Sequence, residues 1–194
     1  MQNTDILNFL ANRRSVKAAL LTEPAPDSKD LSDLLQIAMS APDHGAIRPW
    51  RFREIRGDDR HALSDLFETA LRRKNPDATA EEIETIRSKP LRAPLILAVG
   101  AEVTENHPKV PPMEQVVATA CATQTLLLAA EAKGWGSVLL TGWPAHDDTV
   151  KRGLGFTDKD TLIGFVYLGT PPTGHPVKKR PDASRYLNRW PTDA

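Results

Sequence analysis

The stretch Met113 to Lys133 constrains this chain most. Pro111 and Pro112 introduce it and Gly134 closes it, the residue types favoured at a helix start and just past a helix end. Ala118, Ala120, Cys121, Ala122, Leu126, Leu127, Leu128, Ala129 and Ala130 leave it small and apolar around most of its circumference. A helix with no polar side must be buried, in the core or against a partner subunit. Gln124 and Glu131 interrupt its longest apolar run, which is too short to span a bilayer.

Shorter elements surround this helix. Thr4 or Asp5 caps a helix over Ile6 to Asn12, and Ser28 or Asp30 starts one that runs to about Met39, with Leu31, Leu34, Leu35 and Ala38 at helical spacing. Trp50 to Arg56 reads as a half-buried strand. Asp58 or Asp59 caps a helix whose inner stripe is Leu63, Leu66, Phe67 and Leu71. Pro94 to Gly100 is a continuous apolar run, the pattern of a central strand. Trp135 to Leu140 and Leu162 to Leu168 read as further strands, with a helix near Asp147 to Gly153 between them. Residues 72–89 are highly charged and read as a surface helical excursion, with Thr79 and Glu82 as its capping pair. The tail over residues 170–194 is rich in proline and reads as extended. Strands separated by helices predict one layered α/β or α+β domain over 1–194.

Composition narrows the function. The 194 residues carry 25 Lys+Arg and 25 Asp+Glu. That balance argues against nucleic-acid binding by bulk charge. The single cysteine, Cys121, makes neither an intramolecular disulfide nor a cysteine-rich zinc site, and the histidines lack metal-ligand spacing, so no metal is expected. The N-terminus lacks the basic start and apolar stretch of a secretory signal. These features predict a soluble cytoplasmic protein. No Gly-x-Gly-x-x-Gly, Walker loop or serine elbow is present. Trp50, Trp135, Trp143 and Trp190 read as core or interface residues.

Three stretches have side chains suited to chemistry. Arg13, Arg14, Ser15 and Lys17 gather two guanidiniums, a hydroxyl and an ammonium, the donors a phosphate monoester needs, although a basic helix end would look the same. In the tail, Lys178 and Arg180 would share one side of an extended segment and could complete a phosphate cage with Arg13 and Ser15, or simply be solvated. Leu139, Leu140, Thr141 and Gly142 form a strand end whose backbone could meet a flat ligand, or an ordinary turn. Pro42, Asp43 and His44 open a proline-bounded loop ending at Pro49; a lone loop histidine is most often a local hydrogen-bonder.

Taken together, Asn12-Arg13-Arg14-Ser15-Val16-Lys17, Ala41-Pro42-Asp43-His44, Arg48-Pro49-Trp50-Arg51-Phe52, Arg92-Ala93-Pro94-Leu95-Ile96, Glu105-Asn106-His107, Gln115, Gly134-Trp135-Gly136 and Phe165 to Pro171 resemble the nitroreductase family, in particular its small branch of NAD(P)H nitroreductase-like flavoproteins. The resemblance runs from about Ile6 to Pro181. It implies an α+β fold with a central mixed sheet flanked by helices, built as an intertwined homodimer with FMN at the interface. It assigns Arg13 and Ser15, with Lys178 and Arg180, to the phosphate, places Arg14 in the same cofactor-binding motif, and assigns Lys17 to the pyrimidine edge of the flavin. Leu139, Leu140, Thr141 and Gly142 fall at the ring, and Pro42, Asp43 and His44 on the loop that the second subunit lays over it. Many relatives carry Asn and Gln where this chain has Ala46 and Arg48. The implied activity is ping-pong transfer of two electrons from NAD(P)H through FMN to a small electron-poor acceptor. No side chain acts as a catalytic acid. An FMN-binding module without turnover, or another flavin reaction such as dehalogenation or ring dehydrogenation, is the alternative.

Overall fold

A computed structural model describes residues 3–174 and 179–190 of the chain. Ten main elements follow in order: α1 (Asn3–Asn12), α2 (Ser28–Ala38), β1 (Trp50–Arg56), α3 (Asp59–Lys74), α4 (Ala80–Ser88), β2 (Leu95–Ala101), α5 (Pro112–Ala132), β3 (Gly136–Leu140), α6 (Asp148–Gly153) and β4 (Thr161–Gly169). Local chemistry sets their ends. The Asp27 side chain accepts from Asp30 N–H at the start of α2. Thr79 and Glu82 form a reciprocal capping box at α4. Gly134, at φ +85°, follows α5 and returns its N–H to the Glu131 carbonyl.

The sheet has the order β1-β2-β4-β3. Its three pairings, β1 with β2, β2 with β4 and β3 with β4, are all antiparallel. The α+β architecture is as expected, but where a mixed sheet was expected, each of these strands among the described residues runs against its hydrogen-bonded neighbour. β2 is buried along its whole length, because apolar layers cover both faces. On one face, α2 and α5 pack Leu31, Leu34 and Leu126 against Leu97 and Val166. On the other, α3 and α4 pack Phe67 and Ile86 against Ile96 and Phe165. The charged stretch 72–89 therefore includes α4, which buries Ile86 in that second layer.

α5 is not buried all round. Ala118, Ala122 and Leu126 are in the core, while Met113 and Val117, one turn apart, lie open to solvent. Ile6, Leu7 and Leu10 of α1 are exposed as well. So are Tyr186, Leu187 and Trp190 in the tail; Trp190 is not in the core of this chain.

Candidate functional site

The basic stretch 13–17 lies along the outer edge of the sheet. Val16 N–H donates to the Ser137 carbonyl at 3.0 Å, so the segment borders β3. Val16 and Ala18 are buried and pin it there. Arg13, Arg14 and Ser15 are half-buried and Lys17 is exposed. Gly136 permits the approach: a Cβ there would sit 2.6 Å from the Leu21 side chain and 2.9 Å from that of Pro171. Arg14 N–H donates to a Glu131 carboxylate oxygen at 3.2 Å. From the far end of the chain, the Arg180 guanidinium donates to the Arg13 carbonyl. Lys178 lies outside the described residues.

Beyond Lys17, a short turn over Ala18–Leu20 packs against a second turn, Lys89–Arg92. That second turn rims a cleft of about 350 Å³. Phe67, Phe165 and Tyr167 line the cleft, together with the strand end Leu139 to Gly142. Gly142 takes φ +50°, which favours glycine. Lys89 and Arg92 are cleft residues that sequence reasoning missed. Their three-residue spacing just before β2 was the available signal, but the charge of 72–89 read as a solvated surface. Burial pushes the Lys89 ammonium below its ordinary range, and the Arg92 charge adds to this. Burial pushes the Tyr167 phenol up to about 12, with Arg92 acting in the opposite direction. Perturbed titratable groups lining a cleft mark it as a candidate functional site.

Pro42, Asp43 and His44 are elsewhere. Their loop feeds β1, the edge strand opposite β3, about three strand spacings or ~14 Å across the sheet. One chain therefore does not bring this loop to the cleft. The loop is tightly specified: Gly45, Ala46 and Arg48 all have positive φ, at +71°, +51° and +52°, and non-glycine residues there store strain. An Asp43 carboxylate oxygen accepts from Arg48 N–H at 2.7 Å. Its other oxygen is buried without a hydrogen-bond partner. His44 Nδ1 contacts Glu114 Oε2 of α5 at 2.5 Å. No ion pair or hydrogen bond engages the Arg48 guanidinium among the described residues.

Among the described residues, no group of three His, Cys, Asp or Glu side chains could hold a metal ion. None of the described helices is long and apolar enough to cross a membrane.

Comparison with known proteins adds to this geometry. The model of the Nitroreductase family matches residues 10–170. The Escherichia coli K12 protein named "Putative NAD(P)H nitroreductase YdjA" is 40% identical over 167 residues, covering 86% of this chain and 88% of its own. Among solved structures, the Nitroreductase-like Family Protein from Bacillus cereus superposes with a TM-score of 0.81 at 23% identity, over 99% of each chain. The FMN and NADPH-dependent nitroreductase NfnB from sphigopyxis sp. strain HMH superposes with a TM-score of 0.71 at 18% identity, over 96% of this chain and 99% of that one.

Proposed function

The chain belongs to the nitroreductase family and is an oxidoreductase; from that premise we propose that it is an FMN-dependent NAD(P)H oxidoreductase that reduces a small electron-poor acceptor in a ping-pong cycle. The observation that carries this reading is the continuity of one cationic edge. Arg13, Arg14 and Ser15 run beside β3, the Arg180 guanidinium donates to the Arg13 carbonyl, and the same edge leads to the Lys89–Arg92 rim of the cleft.

The residues present fit FMN. A phosphate monoester needs several donors at once, and Arg13, Arg14, Ser15 and Arg180 offer guanidiniums and a hydroxyl. A flat aromatic ring needs an apolar surface bounded by polar groups. Leu139, Leu140, Phe165 and Tyr167 offer the surface, and Lys89 and Arg92 the rim. Lys17, at the end of the basic stretch, would favour negative charge at the pyrimidine edge. FMN, when bound, supplies the redox chemistry by taking a hydride from NAD(P)H and passing two electrons to the acceptor. The chain's own residues bind, orient and polarise, and no side chain need transfer a proton.

The loop carrying Pro42, Asp43 and His44 sits at the opposite sheet edge, so a homodimer is part of the proposal. A second copy would lay this loop over the ring. The exposed apolar residues of α1, α5 and the tail are the surface such a dimer would bury. A reducing cytoplasm is the compartment this reading implies.

The test is the absorption spectrum of the purified protein followed by anaerobic mixing with NADH and with NADPH. Flavin absorbance that bleaches on mixing is expected. Flavin colour that persists with both donors would identify a binding module, and a colourless protein that FMN cannot reconstitute would overturn the assignment.

A further inference from the structure

We propose that Glu114 is a positioning residue for His44: its carboxylate holds the Nδ1 proton and leaves Nε2 as the ring atom presented to the flavin of a neighbouring copy. This rests on the reading that the 42–48 loop covers that flavin.

The contact, His44 Nδ1 to Glu114 Oε2 at 2.5 Å, joins residues 70 positions apart. An ionised carboxylate can only accept, so the proton between them belongs to Nδ1. In a neutral imidazole this leaves Nε2 bare. The partner of one ring nitrogen thereby sets the chemistry of the other. A ring fixed this way offers an acceptor at Nε2, the complement of an imide or ring N–H. The opposite tautomer would offer a donor there.

Both sides of the contact are held in place. Glu114 lies in the first turn of the 21-residue α5, where the helix dipole favours a carboxylate. His44 begins a short turn whose left-handed residues and Asp43–Arg48 bond leave the loop little freedom. The side chains of His44 and Glu114 are 57% and 47% exposed. A pair this open contributes little to stability, so stability alone gives no reason for such a constrained loop. With Nδ1 engaged, Nε2 is the polar ring atom left for a ligand.

The test uses the full-length protein as purified, labelled with 15N, at pH 9, where histidine rings are ordinarily neutral. Long-range proton–nitrogen spectra report which ring nitrogen carries the proton, and His44→Gln identifies the His44 signals. Protonated Nδ1 and bare Nε2 are expected for His44. Glu114→Ala should move the proton toward Nε2, whereas Glu114→Gln, whose amide oxygen still accepts, should keep the original pattern. FMN retention should follow: about tenfold weaker in Glu114→Ala and within about threefold of the parent in Glu114→Gln. A His44 ring protonated at Nε2 in the parent, a tautomer indifferent to Glu114→Ala, or equal FMN affinity in Glu114→Ala and the parent would overturn the proposal. A parent protein that binds no FMN would overturn the functional reading instead, and the tautomer measurement would then decide the role of Glu114 alone.

Discussion

The guanidinium of Arg180 donates a hydrogen bond to the backbone carbonyl of Arg13, 167 residues earlier in the chain. The contact ties the tail to the exit of α1 and brings a guanidinium from the far end of the chain to the start of the basic stretch 13–17. A guanidinium carries five donors, more than this one bond uses, and a phosphate bound at that stretch would gain a charge-assisted hydrogen bond from the tail.

Replacing Arg180 with Ala should therefore weaken FMN binding by about tenfold or more, since a charge-assisted hydrogen bond contributes roughly 1.5–3 kcal/mol. Flavin fluorescence on titration of the flavin-free protein measures it. An unchanged dissociation constant would remove Arg180 from the phosphate site.

Lys17→Ala should lower the two-electron potential of bound FMN. A contribution of about 1.4 kcal/mol to the reduced form corresponds to about 30 mV for a two-electron couple. Spectroelectrochemical titration reads this directly, and a potential equal to that of the parent would exclude Lys17 from the ring edge.

Tyr167 should shape the alkaline limb of stability. Burial holds its phenol protonated up to about 12 in the folded chain, whereas an unfolded tyrosine ionises near 10. Its contribution is complete below pH 10 and is lost as pH rises towards 12, a difference of ~2.7 kcal/mol at the far end. Tyr167→Phe should flatten that decline in urea melts at pH 9 and pH 11. Absorbance at 295 nm should show one tyrosine ionising late in the parent and absent in the variant.

Asp160 should act at the acid end. The residue is 6% exposed. Its carboxylate accepts from Thr157 N–H at 2.7 Å, Thr157 Oγ1 at 2.8 Å and Val103 N–H at 3.0 Å. Burial opposes its ionisation, but these hydrogen bonds prevail and hold it below the usual carboxylate range. The stability it supplies is present above the ordinary aspartate value and disappears as pH falls through the lowered one. Asp160→Ala, which leaves its donors unpaired, should cost about 1–3 kcal/mol at pH 7. The penalty should shrink in melts below pH 3.

Phe67 joins core and cleft. Its ring meets Phe165 edge-on, with centroids 5.3 Å apart, and it lines the cleft beside Tyr167. Phe67→Ala should destabilise the fold by about 3–5 kcal/mol, read as a lower urea midpoint. Phe67→Leu, which keeps most of the apolar volume, should cost less.

Much of the architecture was legible from residue order. Thr79 and Gly134 mark element ends because capping is settled within one turn of chain. The continuous apolar run of β2 shows a strand covered on both faces. The composition of α5 also predicted burial, but the open Met113 and Val117 did not follow from it. A local pattern tells how apolar a helix is, not which of its sides a given neighbour covers.

The sequence by itself determined where the helices and strands form and which charged segments are available, because capping, periodicity and turn chemistry act over a few residues. Tertiary structure alone decided that the four strands pair antiparallel, that the 42–48 loop and the cleft occupy opposite sheet edges, that Lys89 rims that cleft, and that Glu114 meets His44. Each depends on contacts between residues distant along the chain. Their proximity arises only when the whole chain buries its apolar faces together.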